Sequence, residues 1–140
     1  VIGKQIKDWE KQEFKEEYQF DVNVERLDSI LRDNFEIKLV KMDAQGFECN
    51  ILDGMGSSIA NSIDTIKFEF AGKWLRGQGC TETRLLKQFF DFGFFLYRHF
   101  SAELGFQDRL ERGTRVPGDD VDFDMFASRQ SSTAAANVNK

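Results

Sequence analysis

Residues Ile37 to Gly54 place the tightest limit on the fold of this chain. A run from Ile37 to Met42, rich in apolar and β-branched residues, leads into the turn Asp43-Ala44-Gln45-Gly46. A helical pattern follows, in which Phe47, Ile51, Leu52 and Met55 share one face. A strand that feeds a helix through so short a loop is half of a βαβ unit, from which parallel sheets are built. Asp43 then falls at the carboxyl end of the strand, where open α/β sheets place their ligands. Asp is also a common turn and capping residue, and the spacing alone leaves both roles open.

The flanking segments extend this unit. Residues 1–17 are dense in charge, with Ile2, Ile6 and Trp9 at helix-compatible spacing, and read as a solvated helix or loop. Tyr18 to Leu27 alternates, with Phe20, Val22 and Val24 on one side, and predicts a half-buried strand. Asp28 is placed to cap a short helix carrying Ile30 and Leu31, which Asn34 ends. Ile59 continues the helical face that starts at Phe47, and Thr65 to Phe70 predicts a second core strand. After a flexible Gly77-Gln78-Gly79 loop, Thr81 is an N-cap for a helix over Glu82 to Phe92. Leu85, Leu86, Phe89 and Phe90 form its inner face, and Gly93 is its C-terminal stop.

A third strand is expected over Phe94 to Phe100, then a long loop over Ser101 to Asp120 that holds the only proline, Pro117. Asp122 to Ser128 alternates again and predicts an edge strand, antiparallel to its neighbour. Gln130 to Lys140 is small, polar and free of aromatics, as disordered tails are. One domain over residues 18–129 results, an α/β sheet with helices on both faces.

Composition bounds the function classes. A length of 140 residues with 41% hydrophobic content suffices for one core, and the succession Phe89, Phe90, Phe92, Phe94, Phe95 supplies aromatic packing for it. The net charge of -5 argues against nucleic acid, whose phosphates would be repelled. No stretch approaches the ~20 consecutive apolar residues of a membrane span. The two cysteines, Cys49 and Cys80, match no metal spacing; they read first as free thiols, with a structural disulfide between them as the alternative. The chain begins with Val and shows no signal-peptide pattern, so it reads as a fragment; its compartment is not legible.

Arg26-Leu27-Asp28-Ser29-Ile30-Leu31, then Leu39-Val40-Lys41-Met42-Asp43-Ala44-Gln45-Gly46-Phe47-Glu48 and Ile51-Leu52-Asp53-Gly54, resemble the FkbM-type S-adenosylmethionine-dependent methyltransferases. Ile66 to Phe70 and the helix ending Phe92-Gly93 fit that family's next strand and helix, so the resemblance covers about residues 18–100. It implies a Rossmann-like seven-stranded methyltransferase sheet with its last strand antiparallel, of which this chain is the C-terminal part. The family's glycine-rich cofactor turn lies before the matched region, so cofactor-binding residues are expected upstream of Val1. The missing N-terminal half is expected in cis.

The resemblance implies S-adenosyl-L-methionine as cofactor and a small-molecule or glycan acceptor, a hydroxyl of a sugar or secondary metabolite. Asp43 is then the carboxylate near the transferring methyl, with Glu69 facing it from the end of the next strand. Gln45 and Gly46 shape the same loop and are candidates to contact the substrate, and Glu48 is either a substrate contact or a structural cap. Trp74 and Arg76 are candidates to stack on or bind a sugar or polyol, although loop packing is their commoner use. His99, the sole histidine, is more often a surface residue than a catalytic one. No metal is expected, since the family does not demand one. The competing reading is a non-catalytic half-domain that binds a partner through the open sheet edge of Ile37 to Met42.

Overall fold

Strand β1, Ile37–Met42, and strand β2, Ile63–Phe70, pair in parallel and bring the carboxyl ends of both to one side of the sheet. Between them runs helix α2, Glu48–Asn61, kinked at Gly56, whose φ of 68° and ψ of 166° are not helical, and preceded in the chain by the single turn of α1, Leu27–Ile30. These elements belong to a computed structural model that describes residues 21–31, 35–116 and 122–131. The expectations for residues 1–17, for Asn34 and for the tail from 132 onward lie outside the described residues. After β2 come helices α3, Gly72–Gly77, and α4, Glu82–Asp91, then strands β3, Phe95–Ser101, β4, Gly105–Leu110, and β5, Phe123–Ser128.

The strands form one open sheet in the order β1-β2-β5-β3-β4. Strand β5 runs antiparallel to both β2 and β3, pairing Glu69 with Asp124 and Leu96 with Ala127. The last strand is therefore antiparallel, but it sits in the centre of the sheet and not at its edge. Burial explains the position: Met125, Ala127 and Ser128 are all buried, which an edge strand with one solvated face does not achieve. The outer strand is β4, which folds back on β3 inside the segment read as a loop. Its sequence carries only Phe106 and Leu110 as large apolar residues, too few to show a period. Stacking of Phe106 on Tyr97, at 5.1 Å between ring centres, supplies the contact that holds it.

Strand β2 alternates between two environments. Ile66, Phe68 and Phe70 are buried with Leu52, Met55 and Ile59 of α2 and Leu85 and Phe89 of α4, in one apolar cluster. Phe68 stacks on Phe89 with ring centres 4.4 Å apart. On the other face Leu39, Thr65, Lys67 and Phe126 line an open groove of about 380 Å³. Helices on both faces were expected; among the described residues the two long helices pack on the first face only.

Local capping follows the sequence closely around α4. The Thr81 hydroxyl accepts the Arg84 backbone N–H, and Gly93 takes a φ of 81° just past the helix. The Gly93 and Phe94 N–H groups return to the Phe90 and Phe89 carbonyls, and the Phe89 and Phe94 rings meet edge to face.

Three other expectations are corrected. Residues 21–26 join no strand, and Val22 and Val24 are 68% and 91% exposed, so their alternation reflects no buried face. The N-cap of α1 is Arg26, and Asp28 pairs with the Arg26 guanidinium instead of capping. Cys49 and Cys80 are joined as a disulfide and not free, because the fold brings the start of α2 against the loop before α4, with Cα atoms 6.3 Å apart.

Candidate functional site

The turn between β1 and α2 is made from two residues with left-handed backbones, Gln45 at φ 48° and Gly46 at φ 98°. Gly46 is required by more than its φ. A Cβ there would lie 2.3 Å from the Trp74 carbonyl oxygen, so the turn rests directly on the backbone of α3. This contact holds Gln45 over the carboxyl ends of β1 and β2.

From there the Gln45 amide joins two carboxylates. Its Nε2 donates to Asp43 Oδ1 at 3.1 Å and to Glu69 Oε2 at 2.8 Å. The pair that sequence reasoning placed across a cleft is thus brought together, with a neutral amide as the bridge. Sequence reasoning gave Gln45 a role in loop shape and substrate contact, and missed Lys41, whose Nζ donates to Asp43 Oδ2 at 2.8 Å. The signal for Lys41 was its position two residues before Asp43 on the outward side of β1.

The two carboxyls are driven apart in acidity. Lys41, and after it the Gln45 amide, hold Asp43 below the usual carboxylate range. Burial, and after it the facing Asp43 carboxylate, raise Glu69, with Asp122 and Glu48 adding to the repulsion. At neutral pH Asp43 is the firmly ionised partner and Glu69 the more basic one.

Glu48 opens α2 and is 1% exposed. Its Oε1 accepts the Ala44 backbone N–H at 3.0 Å, tying the helix to the turn that carries Asp43. Its Oε2 is buried with no hydrogen-bond partner. The next residue, Cys49, carries the disulfide, so the start of α2 is fastened from both sides.

The methyltransferase FkbM domain model matches residues 2–107. The chain belongs to that family. No curated protein and no solved structure matches it. The matched region includes β1, α2, β2, α3, α4 and β3, and so every residue of the carboxylate pair and its bridge.

Within this FkbM-family domain the remaining sequence candidates separate. Trp74 is half-buried on α3 and enters the arrangement through its backbone, against Gly46. Arg76 is engaged by Glu82 in an ion pair that ties α3 to α4. His99 faces Asp108 across the β3–β4 pair at 3.4 Å and makes no bond to Asp43 or Glu69. Among the described residues no group of three or more His, Cys, Asp or Glu side chains is arranged to hold a metal ion. No helix of the described residues is long and apolar enough to cross a membrane.

Proposed function

We propose that this chain carries the acceptor-side edge of an S-adenosylmethionine-dependent methyltransferase that methylates a hydroxyl of a sugar or secondary metabolite. The observation that carries the reading is the Asp43–Gln45–Glu69 bridge at the carboxyl ends of two adjacent parallel strands. Membership of the FkbM family supports methyl transfer as the chemistry.

S-adenosylmethionine supplies an electrophilic methyl group on a sulfonium centre. The carboxylates of this edge fit the positive charge of that centre. Among the described residues no turn with two or more glycines joins a strand to a helix, so the residues for its nucleoside lie elsewhere. Asp43, kept ionised by Lys41, orients the acceptor hydroxyl through a hydrogen bond. Glu69 takes the hydroxyl proton, a role for which its raised proton affinity suits it. Gln45 keeps the two carboxyls at a fixed separation while either changes charge. Gly46 and the Trp74 carbonyl set the height of that turn over the sheet.

The test is methyl transfer from labelled S-adenosylmethionine by the full-length protein to a hydroxyl-bearing small-molecule fraction. Glu69→Gln is expected to lower turnover about 10²-fold, the usual worth of a positioned base. Asp43→Asn is expected to lower it while leaving donor affinity within a factor of about two, since only the acceptor loses a partner. Unchanged turnover in both variants refutes the assignment.

A second reading rests on β1. Its outer edge has no strand partner among the described residues, and Leu39 on it is 62% exposed. A non-catalytic domain that pairs through this edge would show partner binding that survives both substitutions.

A further inference from the structure

Apolar side chains gather without cover where α1 meets α2. Val24, Leu27 and Ile30 on one side and Phe47, Ile51 and Gly54 on the other line an open groove of about 410 Å³. Val24 is 91% exposed, Ile30 55% and Phe47 48%. The walls are held in place. A Cβ at Gly56 would lie 2.8 Å from Asp28 Oδ2, so the α1 turn rests directly on the kink of α2. Leu27 and Ile51 pack at the same time against the core cluster. An exposed apolar surface with fixed walls marks a place where something docks.

The chain itself carries a matching stripe. Ile2, Ile6 and Trp9 follow one another at helical spacing, while Lys4, Lys7, Lys11 and Lys15 repeat every three or four residues on the opposite side. The stripe stops at Trp9, because Glu13 and Glu16 take its side in the following turns. Two more observations assign it to this groove. The FkbM family match begins at residue 2, so the stripe belongs to the same domain as α1 and α2. The described chain opens at Asp21, three residues before Val24 on the groove's own lip. Residues 10–23 join Trp9 to that lip, a link of up to about 45 Å when extended. Such a tether keeps the stripe at roughly millimolar effective concentration beside the groove.

We infer that the segment from Ile2 to Lys11 docks in this groove as an amphipathic helix, with Ile2, Ile6 and Trp9 on Val24, Ile30 and Phe47 and the lysines toward solvent. Burial of apolar surface on both partners drives the docking. A helix this short is marginal alone in water and forms against the surface that covers its apolar face. Seated there, it clamps α1 onto the first half of α2, whose Glu48 holds the Ala44 N–H in the turn after Asp43. The inference stands apart from the methyl-acceptor reading, since none of these side chains belongs to the carboxylate pair or its bridge.

The experiment is thermal unfolding of the full chain and of three variants. With the groove open, Val24→Asp would change little, since Val24 is 91% exposed. With the stripe seated on it, Val24→Asp and Ile6→Asp are each expected to lower Tm by about 5 °C or more. The double variant should then lose less than the sum of the two, because both break the same contact. Trp9 gives a second readout in a Trp74→Phe chain, where it is the one remaining indole. Its emission in the native chain should lie to the blue of the urea-unfolded chain, and Val24→Asp should shift it toward the unfolded position. No change of Tm in either single variant, additive losses, or a Trp9 emission that unfolding does not move overturns the inference. So does a Trp9 blue shift that appears only as the chain is concentrated from about 1 μM to about 100 μM, which would place a second copy in the groove.

Discussion

Replacing Gly46 by alanine tests the contact on which the site turn depends. Two costs combine. An L-residue held at the left-handed φ of 98° is disfavoured by about 1–2 kcal/mol. The new Cβ would also lie 2.3 Å from the Trp74 carbonyl oxygen, a backbone atom that cannot rotate away, so the turn and α3 must separate. Overpacking of this kind costs roughly 1–3 kcal/mol. The sum is about 2–5 kcal/mol, which for a domain of this size lowers Tm by about 6–20 °C. Two other glycines separate the contributions. Gly79 has a φ of 78° but open space where a Cβ would stand, so Gly79→Ala should cost only the backbone share of about 1 kcal/mol. Gly77 ends α3, has no positive φ and also faces open space, so Gly77→Ala should be neutral or stabilising by up to about 1 kcal/mol. Thermal unfolding followed by circular dichroism gives all three values on one scale. A loss for Gly46→Ala no larger than that for Gly79→Ala would show that the turn does not rest on Trp74.

Two further predictions concern the same region. The disulfide closes a loop with a sequence separation of 31, for which chain entropy gives about 3–4 kcal/mol of stabilisation, so urea unfolding with reductant should show a loss of that order. A loss below about 1 kcal/mol would mean that the disulfide leaves the unfolded chain no more constrained. The second concerns pH. Glu69 binds its proton more tightly in the folded chain than at its ordinary value of 4.5, so its contribution is fully present below that value and is lost as pH rises through the folded one. Glu69→Gln should therefore gain in stability on the native chain as pH rises through that window, and a constant difference across it would refute the cause given for the shift.

What the sequence determined by itself was local. The β1 boundaries, the start and stop of α4, and the place of Asp43 and Glu69 at strand ends all come from periodicity, capping chemistry and residue order within short windows. The family, too, was legible in one continuous stretch from Arg26 to Gly54.

What only the tertiary structure decided involves residues far apart in the chain. The insertion of β5 between β2 and β3 pairs Thr65 with Ser128, and no alternation pattern names its own neighbour. Strand β4 has too few apolar residues to announce itself and exists because Phe106 finds Tyr97 and Phe100. The Cys49–Cys80 pairing required the start of α2 to meet the loop before α4, 31 residues away in the chain. The amide bridge from Gln45 to Glu69 and the orphaned oxygen of Glu48 arise in the same way. Hydrogen bonding and burial depend on which surfaces the long-range contacts bring together, whereas spacing along the chain records only which side of its own element a residue occupies.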